Sequence, residues 1–129
     1  MTKKILIADD EPNIVAALEF LLQRSGYEVL LAQDGESALK QVEQHLPDLV
    51  LLDVMMPLKS GYEVCQRMRE RAAWRHIKII MLSAKGREAE VNKGLSLGAN
   101  LYVTKPWSNK DLIAKIEQLL ESAPNPGGT

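Results

Sequence analysis

The chain has 129 residues, 46% hydrophobic and 26% charged, with 16 Lys and Arg against 17 Asp and Glu for a net charge of −1. That length holds one domain with a single core, and the absence of a dominant basic cluster argues against direct nucleic-acid binding. Cys65 is the only cysteine, so neither a disulfide within the chain nor a cysteine metal site can form, and the short apolar stretch after Met1-Thr2-Lys3-Lys4 suits neither a secretory signal nor a membrane span; the default setting is cytoplasmic.

A first strand is predicted at about 4–8, where Ile5, Leu6, Ile7 and Ala8 run without interruption. Ile14, Ala17, Leu18, Leu21 and Leu22 follow at helical spacing, and Ser25-Gly26 closes that helix as a glycine cap. A strand at 28–32 precedes a helix carrying Ala38, Leu39 and Val42, bracketed by Asp34-Gly35 and His45-Leu46-Pro47-Asp48. The third strand, 48–52, leads through a proline loop to Ser60-Gly61, an N-cap for a helix bearing Val64, Cys65 and Met68. Trp74 falls in a basic stretch, Arg71 to Arg75, that reads as a solvated connection.

A fourth strand at 77–82, a helix with Val91 and Leu95 ended by Gly98, and a fifth strand at 100–104 complete the pattern. Ser108 then caps a last helix with Leu112, Ile113, Ile116, Leu119 and Leu120. The Ile, Val and Leu runs read as strands buried on both faces, as parallel strands are. Five strands alternating with five helices predict a doubly wound α/β sandwich with right-handed crossovers. The domain is expected over 1–121, with 122–129 a flexible tail or linker stub. His45 and His76 lack metal-ligand spacing.

In a parallel sheet, residues that end different strands meet at one edge, where open α/β sheets bind ligands. Asp9 and Asp10 end the first run, Asp53 the third, Ser83 the fourth, and Lys105 follows the fifth. Three close carboxylates repel one another by roughly 4 kcal/mol per pair at a surface-like dielectric, and a hard cation removes that penalty. Mg²⁺ favours such a set completed by water and phosphate oxygens. Taken alone, Asp9-Asp10-Glu11 equally suits a helix start, Ser83 a strand-end hydroxyl and Lys105 a loop lysine. Together they supply a nucleophile, a cation site, a hydroxyl donor and a fixed positive charge, the parts phosphoryl transfer needs.

Four segments carry a family resemblance: Ile5-Leu6-Ile7-Ala8-Asp9-Asp10-Glu11-Pro12; Asp53-Val54-Met55-Met56-Pro57 with Gly61; Ser83-Ala84; and Gly98-Ala99 with Tyr102 and Lys105-Pro106. In order and spacing the chain resembles, over about residues 3–121, the receiver domain of two-component response regulators. The resemblance implies a flavodoxin-like, chemotaxis-receiver-like fold, with a five-stranded parallel sheet in order 2-1-3-4-5 inside an αβα sandwich.

The resemblance also implies chemistry. Asp53 would be the phosphoacceptor, taking its group from a phosphohistidine on a sensor histidine kinase or phosphotransfer protein, or from a small acyl phosphate. Asp10, Asp53 and the backbone carbonyl of Met55 would hold Mg²⁺ or Mn²⁺, with Asp9 acting through a water. Ser83 and Lys105 would contact phosphoryl oxygens. Ser83 and Tyr102 would form the switch: Ser83 moves toward the phosphoryl group, Tyr102 fills the vacated space, and the face of helix four, strand five and helix five changes for a downstream partner or fused output domain. Such a domain catalyses only its own phosphorylation and dephosphorylation, and Met55 and Lys85 would tune the loss by water attack. Lys105-Pro106 resembles a family bond that is usually cis, aiming the lysine inward.

Some positions depart from the family pattern. Ser83 stands where threonine is commoner, and Trp107 where phenylalanine is usual. Asn100-Leu101 replaces an Asp-Asp often seen in receivers fused to winged-helix transcription factors, whose acids make dimer contacts. A phosphorylation-dependent homodimer stays open without those contacts, and Leu101 reads as an exposed apolar residue. Two alternatives fit less well. A phosphorylation-independent receiver-like interaction module usually lacks one of these acids or the lysine. An aspartyl-phosphate phosphatase places its nucleophile after the first strand in an Asp-x-Asp pattern.

Overall fold

The computed structural model describes residues 2–84 and 86–121, so Lys85 and the expected tail at 122–129 lie outside the described residues. Five strands form the sheet: β1 Lys4–Ala8, β2 Glu28–Ala32, β3 Leu49–Asp53, β4 Lys78–Ser83 and β5 Leu101–Thr104. All neighbours are parallel, in the order β2-β1-β3-β4-β5. Between and after the strands run α1 Pro12–Arg24, α2 Gly35–His45, α3 Gly61–Glu70, α4 Glu88–Ser96 and α5 Asn109–Glu121. The five strands, five helices and sheet order match the expected α/β fold.

Successive side chains on a strand face opposite ways, so the sheet divides the core in two. Leu6, Val50, Leu52, Ile79 and Met81 pack with Ala38, Val42, Val64, Cys65 and Met68 on one side. Ile5, Ile7, Leu49, Leu51, Ile80 and Leu82 pack with Leu18, Leu22, Leu112 and Ile116 on the other. Helices α2 and α3 therefore cover one face, and α1 and α5 the other. Each fully buried aliphatic side chain contributes about 2 kcal/mol.

Three expectations are corrected. Burial on both faces holds for β1, β3 and β4 but not for β2 and β5. These are the sheet edges with one neighbour each, and Leu31 of β2 is 37% exposed. Leu101 is partly buried and packs against the core on the α1 and α5 side. Trp74 is a core residue in a single 3₁₀ turn, Ala72–Trp74, with the Arg71 guanidinium 4.2 Å above its ring. The connection is basic outside and aromatic inside.

Helices α2, α3 and α5 start on side-chain caps. Asp34 Oδ1 accepts from Ser37 N–H at 2.7 Å, Ser60 Oγ from Glu63 N–H at 3.3 Å, and Ser108 Oγ from Asp111 N–H at 3.3 Å. Helix α1 differs. Glu11 takes the cap position without a side-chain cap bond, and Pro12 follows.

Arg69 ties the end of α3 to the start of β5. Its Nε donates to Gly98 O at 2.9 Å and its Nη2 to Asn100 Oδ1 at 3.1 Å, while Nη1 reaches Trp74 O and Arg75 O at 3.4 and 3.3 Å. Asn100 Oδ1 also accepts from Ile79 N–H at 2.8 Å, so this asparagine locks β4 to β5. Arg69→Ala is expected to destabilise the fold by about 2 kcal/mol, because several carbonyls lose a charged donor at once. Arg69→Lys should recover little of it, since an ammonium cannot span a forked set of acceptors. Urea unfolding with an unchanged slope would measure both.

Candidate phosphoacceptor and metal site

The carboxyl ends of β1, β3, β4 and β5 bring the expected residues to one edge. Asp9 and Asp53 are almost fully buried at 0% and 3% exposure, and so is Ser83 at 1%. Asp10, the next residue along, is exposed. One carboxylate oxygen from each of Asp9, Asp10 and Asp53 lies within 4.8 Å of the others. Adjacent acids can share a site here because β1 ends at Ala8 and the chain turns: Glu11 N–H donates back to Asp9 Oδ1 at 2.9 Å.

Backbone bonds seat the remaining groups. Val54 N–H donates to Leu82 O at 3.1 Å and Lys105 N–H to Ser83 O at 2.8 Å, which places Asp53, Ser83 and Lys105 at one level of the sheet. Met55 N–H donates to Asp53 Oδ1 at 3.4 Å, while the Met55 side chain is 57% exposed at the rim. Leu58, at φ 69° and 75% exposed, holds a left-handed backbone in the same loop. The Lys105-Pro106 peptide is cis.

Lys105 is the cation of the cluster. Its Nζ lies 2.8 Å from Glu11 Oε1, 3.5 Å from Asp9 Oδ2 and 3.7 Å from Asp53 Oδ1. Desolvation opposes its charge, but the hydrogen bond it donates to Glu11 and the Asp53 and Asp9 charges outweigh it and raise its pKa. Burial first, then the Asp9 charge, pushes the Asp53 carboxyl from an ordinary 3.8 up to about 6, against the opposing pull of Lys105. Burial raises Asp9 as well.

These groups fit a hard divalent cation. Asp9 Oδ2 is buried and, despite the Lys105 ion-pair contact, accepts no hydrogen bond. Three converging carboxylate oxygens repel by roughly 3 kcal/mol per pair at a surface-like dielectric. One ammonium cannot neutralise them all. An oxygen-seeking ion with a taste for carboxylates and water would.

The switch candidate, Tyr102, is half-buried on β5 and packs against the α2 and α3 side of the core. Helix α4 lies close over it: a Cβ added at Gly94 would sit 3.0 Å from Tyr102 Cδ2. Two participants escaped the sequence reading. Tyr62 neighbours Tyr102 and donates to Glu90 O at 3.2 Å; burial first, then Tyr102, pushes its phenol up to about 12. Glu11 enters the sequence pattern only as part of a motif, yet it makes the shortest carboxylate contact to Lys105. Its signal was a glutamate at a cap position that favours shorter side chains.

Residues 5–117 match the family described as the response regulator receiver domain. The alkaline phosphatase synthesis transcriptional regulatory protein PhoP of Bacillus subtilis is 47% identical over 120 residues, 93% of this chain and 49% of that protein. The beryllofluoride-activated DrrB receiver domain superposes with a TM-score of 0.85 at 34% identity, covering 94% of this chain and 99% of that one. The receiver domain of a sensor histidine kinase from Pseudomonas aeruginosa, solved with magnesium in its active-site cleft, gives 0.87 at 28% identity, covering 95% and 100%.

The chain belongs to the response regulator receiver domain family. It spans about half the length of the curated relatives it matches. Receiver domains bind Mg²⁺ at an acidic pocket and work with histidine kinases and output domains in two-component signalling; they are signalling domains and not enzymes in the ordinary sense. No described helix is long and apolar enough to cross a membrane.

Proposed function

We propose that Asp53 is the phosphoacceptor of this receiver domain. The observation that carries this reading is a carboxylate almost fully buried at the end of the central strand, facing two further acids and a lysine. An Asp53 oxygen attacks the phosphorus of a phosphohistidine on a sensor histidine kinase or phosphotransfer protein, or of a small acyl phosphate. The P–N or P–O bond breaks, and the leaving group keeps the electron pair. Attack requires the ionised carboxylate, and with a pKa near 6 Asp53 is mostly ionised at neutral pH even without a cation.

Asp10, Asp53 and the Met55 carbonyl would hold Mg²⁺ or Mn²⁺, with Asp9 reaching it through a water. When bound, the ion offsets the charge that builds on the transferring oxygens. Lys105 supplies a second positive charge to those oxygens, and the Ser83 hydroxyl a hydrogen bond. Ser83 and Tyr102 are the switch pair in this reading, and the face of α4, β5 and α5 is what a downstream partner or fused output domain reads. Hydrolysis of the acyl phosphate resets the domain, so its only catalysis acts on itself. The setting is cytoplasmic.

Incubation with acetyl phosphate and Mg²⁺, followed by intact mass, tests the assignment. Wild type is expected to gain one labile phosphoryl group and Asp53→Asn none. A wild type that stays unmodified, or an Asp53→Asn variant with the same labile adduct, rules Asp53 out.

A further inference from the structure

Helix α1 begins with Glu11 at the cap position, its backbone extended and Pro12 following. Caps are usually Ser, Thr, Asp or Asn, whose short oxygens accept from the first free N–H groups of the helix. The Glu11 side chain makes no such bond. It reaches Lys105, 94 residues along the chain, and accepts from its Nζ at 2.8 Å. Asp9 and Asp53 stand farther from that nitrogen, at 3.5 and 3.7 Å. The residue is held by its own backbone, since its N–H donates to Asp9 Oδ1. Its carboxylate is therefore left to the lysine, and at 58% exposure it can exchange that partner for water.

We propose that Glu11 is a positioning residue that parks the Lys105 ammonium and competes for it with a phosphoryl group on Asp53. This rests on the reading of Asp53 and Lys105 given above. A phosphoryl group places several strong acceptor oxygens beside a lysine already engaged at 2.8 Å. Lys105 turns to them at the expense of Glu11, so the strength of the parked pair sets part of how firmly the phosphoryl group is held. The second reach of Glu11, its backbone link to Asp9, stays in place when only the side chain is changed.

Beryllofluoride binding at saturating Mg²⁺, measured by calorimetric titration, tests this with two substitutions. Glu11→Gln removes the charge and keeps the length. Glu11→Asp keeps the charge, is too short to hold Lys105, and is itself a favourable cap. Both are expected to tighten beryllofluoride binding by about two- to fivefold, the range of an exposed ion pair released. Thermal unfolding should show neither variant strongly destabilised. Unchanged or weaker binding in both variants overturns parking. Tightening in Glu11→Gln alone makes Glu11 a general repulsive charge and overturns it too, as does tightening in Glu11→Asp alone. A wild type that binds no beryllofluoride overturns the Asp53 reading as well, which separates the two failures.

Discussion

Asp53→Asn is expected to make the metal-free protein more stable at neutral pH, by up to about 3 kcal/mol, while abolishing phosphoryl uptake. The folded protein holds the Asp53 proton more tightly than the unfolded chain does, with a pKa of about 6 against 3.8. Stability gained from protonation is therefore complete below pH 3.8 and lost as pH rises through about 6. A displacement of about two pKa units corresponds to about 3 kcal/mol. Asparagine never ionises and does not suffer that loss. That figure is already net of the attraction to Lys105, 3.7 Å away in the wild type.

The measurement is denaturant unfolding in EDTA at pH 5 and at pH 7. Wild type should lose stability between them and Asp53→Asn should lose less. Asp9, raised in the same direction, leaves the variant some residual slope. Adding Mg²⁺ should close most of that gap. A ligand at about a hundred times its dissociation constant stabilises the folded state by about 2.7 kcal/mol, and the variant has lost one of the carboxylates that hold it. Equal stability of both proteins at pH 7 without metal would mean that the buried carboxylate is not strained by its surroundings.

The same burial explains what the sequence discloses. β1, β3 and β4 sit inside the sheet and leave unbroken aliphatic runs, so their ends at Ala8, Asp53 and Ser83 are legible almost to the residue. Once those ends are known, a parallel sheet dictates that Asp9, Asp10, Asp53, Ser83 and Lys105 share an edge. Side-chain reach is less legible. Glu11 looks like part of a helix start until folding brings Lys105 beside it. Trp74 looks solvated because its neighbours in sequence are basic, yet the ring turns in and the Arg71 guanidinium lies over it. Leu31 and Leu101 depart from expectation in opposite senses, because apolar runs do not say which strands become edges. β2 is more exposed than its apolar run suggests, and Leu101 on β5 is more buried.

Gly61→Ala is expected to damage both fold and site. An added Cβ would collide with the Asp53 carbonyl oxygen and lie 2.9 Å from Asp53 C and Val54 Cα. All three are backbone atoms, so no side chain can swing aside. Gly61 N–H also donates to Val54 O at 2.9 Å, which pins the start of α3 to the end of β3. A methyl group there must push α3 off or move Asp53 itself. Overpacking of this kind destabilises by about 3 kcal/mol, and misplacing a reacting group by about 1 Å can slow a reaction by up to about a hundredfold. Gly26→Ala is the control. Gly26 closes α1 at φ 93° with nothing within 4 Å of an added Cβ. It should lose about 1 kcal/mol from its left-handed backbone and keep the wild-type rate. Unfolding curves and the rate of phosphoryl uptake from acetyl phosphate compare the two. A Gly61→Ala protein with wild-type stability and rate would show that α3 does not need to approach the phosphoacceptor strand so closely.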